Sequence, residues 1–372
     1  MLYEDEPQKS KRSDEPGAAS GQRPTAKTML QIMDGTFRIY RDNLGPLLML
    51  SALLIVPLTV VGTLLGATTP AMQITAAQLE GMSSEEMMNV LGPSLGLACL
   101  VIVVALILGI IQVVVLNGTI VTIASESLFG NPLTLREAWT MTLPRLGKLF
   151  WAYLSFYLIL FAVTIVIVFA AAICPPLLLI LAFILYISIT IGSLIAPVAV
   201  LENIGRPAVS RAHVLGKSRF WQVFGISVLI GLVSFGVSLL LQEVLGGILL
   251  SIPALAGGST AVVLSVTIAA IIEILIAPLL PIAMTQMYYD ARIRKEGLAD
   301  LLAAIGPDAR PYDVRPVVSD ESWIASSDLV NMLIMIGVVV VLTLVAGSAL
   351  AAILNVLAPG LGDLSSLGGS PI

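Results

Sequence analysis

A chain of 372 residues that is 57% hydrophobic and 12% charged lies far below the roughly 25% charge of soluble domains, which excludes an ordinary water-soluble enzyme or binding module. A formal net charge of −5 excludes a nucleic-acid-binding surface built on overall positive charge. The long Leu/Ile/Val runs exclude a transmembrane barrel, whose strands are short and alternate.

Residues 1–27 are polar, charged and rich in Pro, Gly and Ser, without periodicity, and are expected to be a disordered tail. The first apolar run starts only at Leu44, too far along for the core of a cleaved signal peptide, so the first span is expected to stay in the protein. Seven apolar stretches follow, near 44–66, 95–118, 149–171, 177–200, 221–241, 261–287 and 328–355. Each reaches the roughly 20 residues that a spanning helix needs. The expected fold is therefore all-α: a polytopic transmembrane helix bundle of about seven spans. It divides into the tail 1–27, a membrane domain 28–300, a loop 301–327, a seventh helix 328–355 and a tail 356–372.

The 19 Lys and Arg occupy only alternate gaps. Seven precede the first span, three follow the second, four follow the fourth and five follow the sixth. Lys and Arg in short loops stay cytoplasmic during insertion. The pattern predicts a cytoplasmic N-terminus, an extracytoplasmic C-terminus and a multi-pass place in the cytoplasmic membrane of a prokaryote.

Three amphipathic helices are expected as interfacial elbows on the cytoplasmic side. Leu30, Met33, Phe37, Tyr40 and Leu44 form the first apolar stripe, with Arg38 and Arg41 off it. Leu135, Ala138, Trp139, Thr142 and Leu146 form the second, among Arg136, Arg145 and Lys148. Pro207 opens the third, where Val209, Ala212, Gly216 and Phe220 oppose Arg211, Lys217 and Arg219. Such helices lie with the apolar face in the membrane and the basic face on headgroups. Arg38, Arg41, Arg136, Arg145, Lys148, Arg211, Lys217, Arg219, Trp221, Arg292 and Arg294 are thus candidate contacts to anionic lipid or to a partner protein. The other reading is that the elbows only set helix entry angles. Trp139, Trp151, Trp221 and Trp323 all fall on this side, as interfacial anchors do. The outer loop 67–94 is expected to hold a short amphipathic helix, and the inner loop 288–327 to be a flexible or partner-docking segment.

Glu273 stands near the middle of the sixth span, where a carboxylate costs ~2.5–3.5 kcal/mol on insertion scales. No span carries a Lys or Arg to pair with it, so it is expected to be protonated. Ala269, Ala270 and Ala277 on its face predict an inward position, since small residues mark close helix packing. Pro278 and Pro281 leave backbone acceptors one turn away. Ser188 and Ser234 lie at similar depth, with Gln112 nearer the cytoplasm. The group is either a proton or cation site on a transport path, or a hydrogen-bonded Glu in a static bundle.

Catalytic patterns are missing. His213 is the single histidine and reads as an interfacial side chain. No phosphate-binding glycine motif or serine elbow occurs, and Asp308, Asp313 and Asp320 lack metal-loop spacing. No cofactor is expected. Cys99 and Cys174 near the outer ends of spans either form a disulfide or never meet.

Four stretches carry a family resemblance: LQIMDGTFRIYRDNLGPLL (30–48), LREAW…PRLGKLF (135–150), PVAVLENIGRPAVSRAHVLGKSRFWQVFGI (197–226) and MYYDARIRKEGL (287–298). The most specific elements are Glu202, the Arg211…Lys217…Arg219-Phe220-Trp221 run, and Tyr289-Asp290…Arg292…Arg294-Lys295-Glu296-Gly297. Over most of 28–300 the chain resembles the prokaryotic glycerophosphoryl diester phosphodiesterase membrane domain and related domains of unknown function. The resemblance implies a membrane module alone. The catalytic domain fused to some members uses two histidines and metal-binding carboxylates, and this chain has one histidine. Apart from the resemblance, Asp290 is placed to pair with Arg294 one helical turn on.

Overall fold

A computed structural model describes residues 25–68, 84–173, 181–250, 258–306, 309–314 and 325–367. No strand occurs among them. The helices are α1 (Met29–Asp42), α2 (Leu44–Thr68), α3 (Ser84–Leu128), α4 (Leu135–Ile173), α5 (Leu181–Ile187), α6 (Ile195–Leu201), α7 (Ala208–Ser218), α8 (Phe220–Leu250), α9 (Gly258–Ile276), α10 (Leu279–Glu296), α11 (Leu298–Ile305) and α12 (Ser326–Leu367). A π turn at Ser188–Gly192 follows α5, and a 3-10 turn spans Pro311–Asp313.

Among the described residues, seven stretches are long and apolar enough to cross a membrane. The protein is a multi-pass, all-α helical bundle. The fourth stretch, Phe183–Leu201, is central: 67% of its most apolar 18 residues are buried within the chain, against 17–29% for those of the others. Around it packs one large core, built from Leu149, Phe156, Leu194, Val198, Leu215, Val223 and Met287 among others. A second core joins α2 to α3 through Leu47, Leu50, Ile120 and Ile123. A third ties α12 to the bundle through Tyr186, Phe220, Phe224, Met332 and Met335.

Local chemistry explains where helices stop. The Thr28 hydroxyl accepts from the Gln31 amide, and the Gln31 side chain accepts from the Thr28 amide, a capping box that opens α1. Asn43 donates back to the Ile39 carbonyl at 2.9 Å and closes the same helix. Gly297 (φ 64°) ends α10 in the left-handed conformation that glycine adopts without steric cost. Pro278 separates α9 from α10. One carbonyl at that break, Leu275, accepts a 2.9 Å hydrogen bond from the Tyr40 hydroxyl of α1. The close approach of α7 to the π turn requires Gly216, because a Cβ there would meet the Thr190 carbonyl.

Two of the three expected elbows are separate helices, α1 and α7. The second is not: Leu135–Ile173 is one continuous helix, so the amphipathic stretch extends the third span. Residues 288–296, expected in a loop, prolong α10, and Tyr288–Arg292 are buried. The tail 1–24, most of the proposed outer-loop helix, the Cys99 side chain, Cys174, Asp308, Asp320 and Trp323 lie outside the described residues and side chains.

Candidate functional site

The contacts among the Lys- and Arg-bearing segments gather them at one end of the bundle, termed here the basic end. Helix α10 is its centre. Its sequence LLPIAMTQMYYDARIRKE gives polar groups on every side, and each side meets a different neighbour.

One face of α10 enters a charge cluster. Glu202 at the end of α6 receives the Arg211 guanidinium at 3.1 Å from α7. Arg211 also pairs with Glu296. Arg292 bonds Glu296 at 2.9 Å, donates to the Tyr288 hydroxyl at 2.8 Å and stands 3.5 Å from Glu202. Tyr288 donates to Glu202 at 3.2 Å. The Arg292 side chain is fully buried, and those of Glu202 and Glu296 are nearly so. Two guanidiniums and two carboxylates neutralise each other, the arrangement that makes buried charge tolerable.

A second face holds the chain entering α1. Asp290 accepts the Lys27 backbone amide at 2.8 Å and the Arg294 guanidinium at 2.8 Å, with Arg219 3.4 Å away. The predicted Asp290–Arg294 pair therefore forms, with the carboxylate buried. Gln286 bonds Thr36, the Ile32 carbonyl and the Lys27 amine. Burial, and then the Arg38 charge, hold that amine below the usual lysine range, against the opposing pull of Asp290.

A third face carries Tyr289, 2.7 Å from the Ser125 hydroxyl of α3. Beside it Glu126 binds Arg310 at 3.3 Å, and Arg310 lies over the Phe129 ring. Separately, Asp328 at the start of α12 takes Lys217 at 2.8 Å and the Tyr186 hydroxyl at 2.8 Å, and Trp221 donates to Asn331.

The expected lipid or partner contacts divide accordingly. Arg211 and Arg292 are buried and bound to Glu202 and Glu296, which removes them from any surface. Lys217, Arg219 and Arg294 pair with Asp328 or Asp290. Arg38, Arg41 and Arg136 are exposed. Arg145 lies over the Tyr312 ring, Lys148 donates to the Asn203 carbonyl, and Trp221 is half-exposed. Acidic partners supply what the charge-counting argument omitted: Glu126, Glu202, Asp290, Glu296 and Asp328. Three of them, Glu202, Asp290 and Glu296, stand in the stretches 197–226 and 287–298 among the bases they pair with, whereas Glu126 and Asp328 lie outside those stretches.

The intramembrane candidates do not converge. Glu273 is exposed on the outside of α9, contrary to the inward position expected for it. The helix buries Ile268 and Ile272, while Ala269 is exposed and Ala270 and Ala277 are half-covered. Ser188 donates to the Ile184 carbonyl of its own helix. Ser234 and Gln112 are half-buried, and no hydrogen bond joins any of these to Glu273. Among the described residues no three His, Cys, Asp or Glu side chains gather as a metal site would require. Compared with family models, curated proteins and solved structures, the chain matches none.

Proposed function

We propose that this chain is a non-enzymatic protein of a prokaryotic cytoplasmic membrane that organises the envelope or regulates a membrane partner. Its basic end faces the cytoplasm, rests on anionic headgroups and presents a rigid platform, with the segment between α10 and α12 available to a protein partner. The observation that carries this reading is α10: Gln286, Tyr288, Tyr289, Asp290, Arg292 and Glu296 all contact neighbouring elements, the last three through Arg219, Glu202 and Arg211. Polar groups used in this way fix geometry, whereas catalytic or transporting groups must remain open to a substrate. The stretches 197–226 and 287–298 supply most of these groups and their partners. The transport alternative rests on Glu273, whose outward side chain gives it little support.

Native mass spectrometry of the protein released from its own membrane tests the proposal. The expected species carries lipid or a second protein. A lipid or small molecule bound at fixed stoichiometry and lost in Glu273→Ala would overturn it in favour of a transporter or lipid-translocating protein. A reporter fused to the C-terminus is expected to read extracytoplasmic, and a cytoplasmic signal would reverse the orientation.

A further inference from the structure

The charges at the basic end are unevenly balanced. Arg211, Lys217, Arg219, Arg292, Arg294 and Arg310 each face a carboxylate. Lys148 and Arg206 face none among the described residues, yet both line one groove of 460 Å³ with Gly147, Trp151, Gly205 and Pro207. The groove lies where α4 meets the turn between α6 and α7. The geometry is set by the backbone: Lys148 Nζ donates to the Asn203 carbonyl at 2.9 Å, and Asn203 takes a left-handed φ of 53°. A Cβ at Gly205 would already stand 3.7 Å from the Lys148 carbonyl, so turn and helix abut. The Arg206 guanidinium lies 5.6 Å from the centre of the Trp151 ring, and that ring is 51% exposed.

We propose that this groove binds the phosphodiester of an anionic phospholipid. Two unneutralised cations converge on it, and a guanidinium presents its donors in a fork that matches phosphate oxygens. Tryptophan prefers the headgroup level, where one edge is apolar and the other wet. Two turns further along α4, Leu158 is exposed on the same side and gives an acyl chain an apolar track. A free inorganic phosphate would satisfy the cations but leave Trp151 and Leu158 without a partner. The inference rests on the placement of the basic end at the headgroups.

The test uses the full-length protein in detergent, titrated with phosphatidylglycerol or phosphatidylcholine and read by native mass spectrometry. One phosphatidylglycerol is expected to survive detergent removal, with phosphatidylcholine lost. Removing both charges in Lys148→Gln/Arg206→Gln should weaken retention roughly thirtyfold, from about fivefold per surface charge. Arg206→Lys should keep much of it, and the exposed control Arg136→Gln all of it. A variant in which Trp151 is the sole tryptophan should be quenched more strongly by brominated phosphatidylglycerol than by brominated phosphatidylcholine. Equal retention of the two lipids, unchanged retention in the double variant, or displacement by millimolar inorganic phosphate alone would overturn the proposal. None of these outcomes touches the platform reading, whereas a C-terminal reporter on the cytoplasmic side would overturn its cytoplasmic placement and leave lipid retention in the groove unchanged.

Discussion

Arg292 shows how the basic end is held. Its guanidinium is fully buried, and its neighbours Tyr288, Glu202 and Glu296 come from two helices. Deleting one member of a buried ion pair leaves its partner charged and unsolvated, at a cost of about 3–5 kcal/mol, while replacing the pair by apolar residues is often near neutral. Arg292→Met is therefore expected to lower the Tm in detergent sharply. Arg292→Met combined with Glu202→Leu should lower it less than Arg292→Met alone, because Arg211 and Glu296 still neutralise each other. Equal loss in both proteins would mean that the four groups do not act as a charge cluster. The sequence made these residues visible without making their role visible. Arg211 and Arg292 read as lipid-facing because positive charge near a span end has that meaning on average. Only the tertiary fold brings Glu202, ninety residues from Arg292, to its side.

At the scale of elements, helix existence and number were legible, because runs of about 20 apolar residues have few alternatives in water or lipid. Continuity was not. The stretch 135–148 has the same amphipathic stripe as α1, yet it fuses with the third span, whereas Asn43 caps α1 with its own amide. Residues 288–296 lose hydropathy and read as loop, but the helix runs on because its polar side chains find partners on α1, α3, α6 and α7. Pro278 was legible as a source of free carbonyls, but the break it makes within the expected span 261–287 was not, and the consequence of that break depends on a distant residue. Tyr40 donates to the Leu275 carbonyl across that break. Burial holds the phenol above its usual range, so it stays a donor through neutral and mildly alkaline pH. Tyr40→Phe keeps the ring and removes the hydroxyl, leaving a carbonyl unsatisfied at a cost of about 1–3 kcal/mol. A matching fall in Tm, together with faster hydrogen exchange of the amides at the start of α10, is expected. Unchanged exchange would show that the hydroxyl does not secure the break.

Across the whole molecule, the basic end is densely packed and cross-linked by charge, while in six of the seven apolar stretches the most apolar 18 residues are 29% or less buried within the chain. This division sets what Glu273 can do. It lies at the depth of the middle of the first span, since its neighbours Ala270 and Ile274 share a groove with Val56 and Val60 of α2. The small residues beside it suggested an inward face, but α9 packs through Ile268 and Ile272, and a helix rotated to bury that ridge turns the carboxyl outward. An inward proton carrier would contribute to function and tolerate no apolar replacement. An outward carboxyl in hydrocarbon only opposes insertion, by ~2.5–3.5 kcal/mol at the bilayer centre. Glu273→Leu is accordingly expected to insert at least as well as the parent chain, to match or exceed its Tm, and to support the same cellular phenotype. A Glu273→Leu protein that folds and inserts normally but loses its phenotype would mean that the carboxyl works at the membrane midplane, and the platform reading would give way to transport.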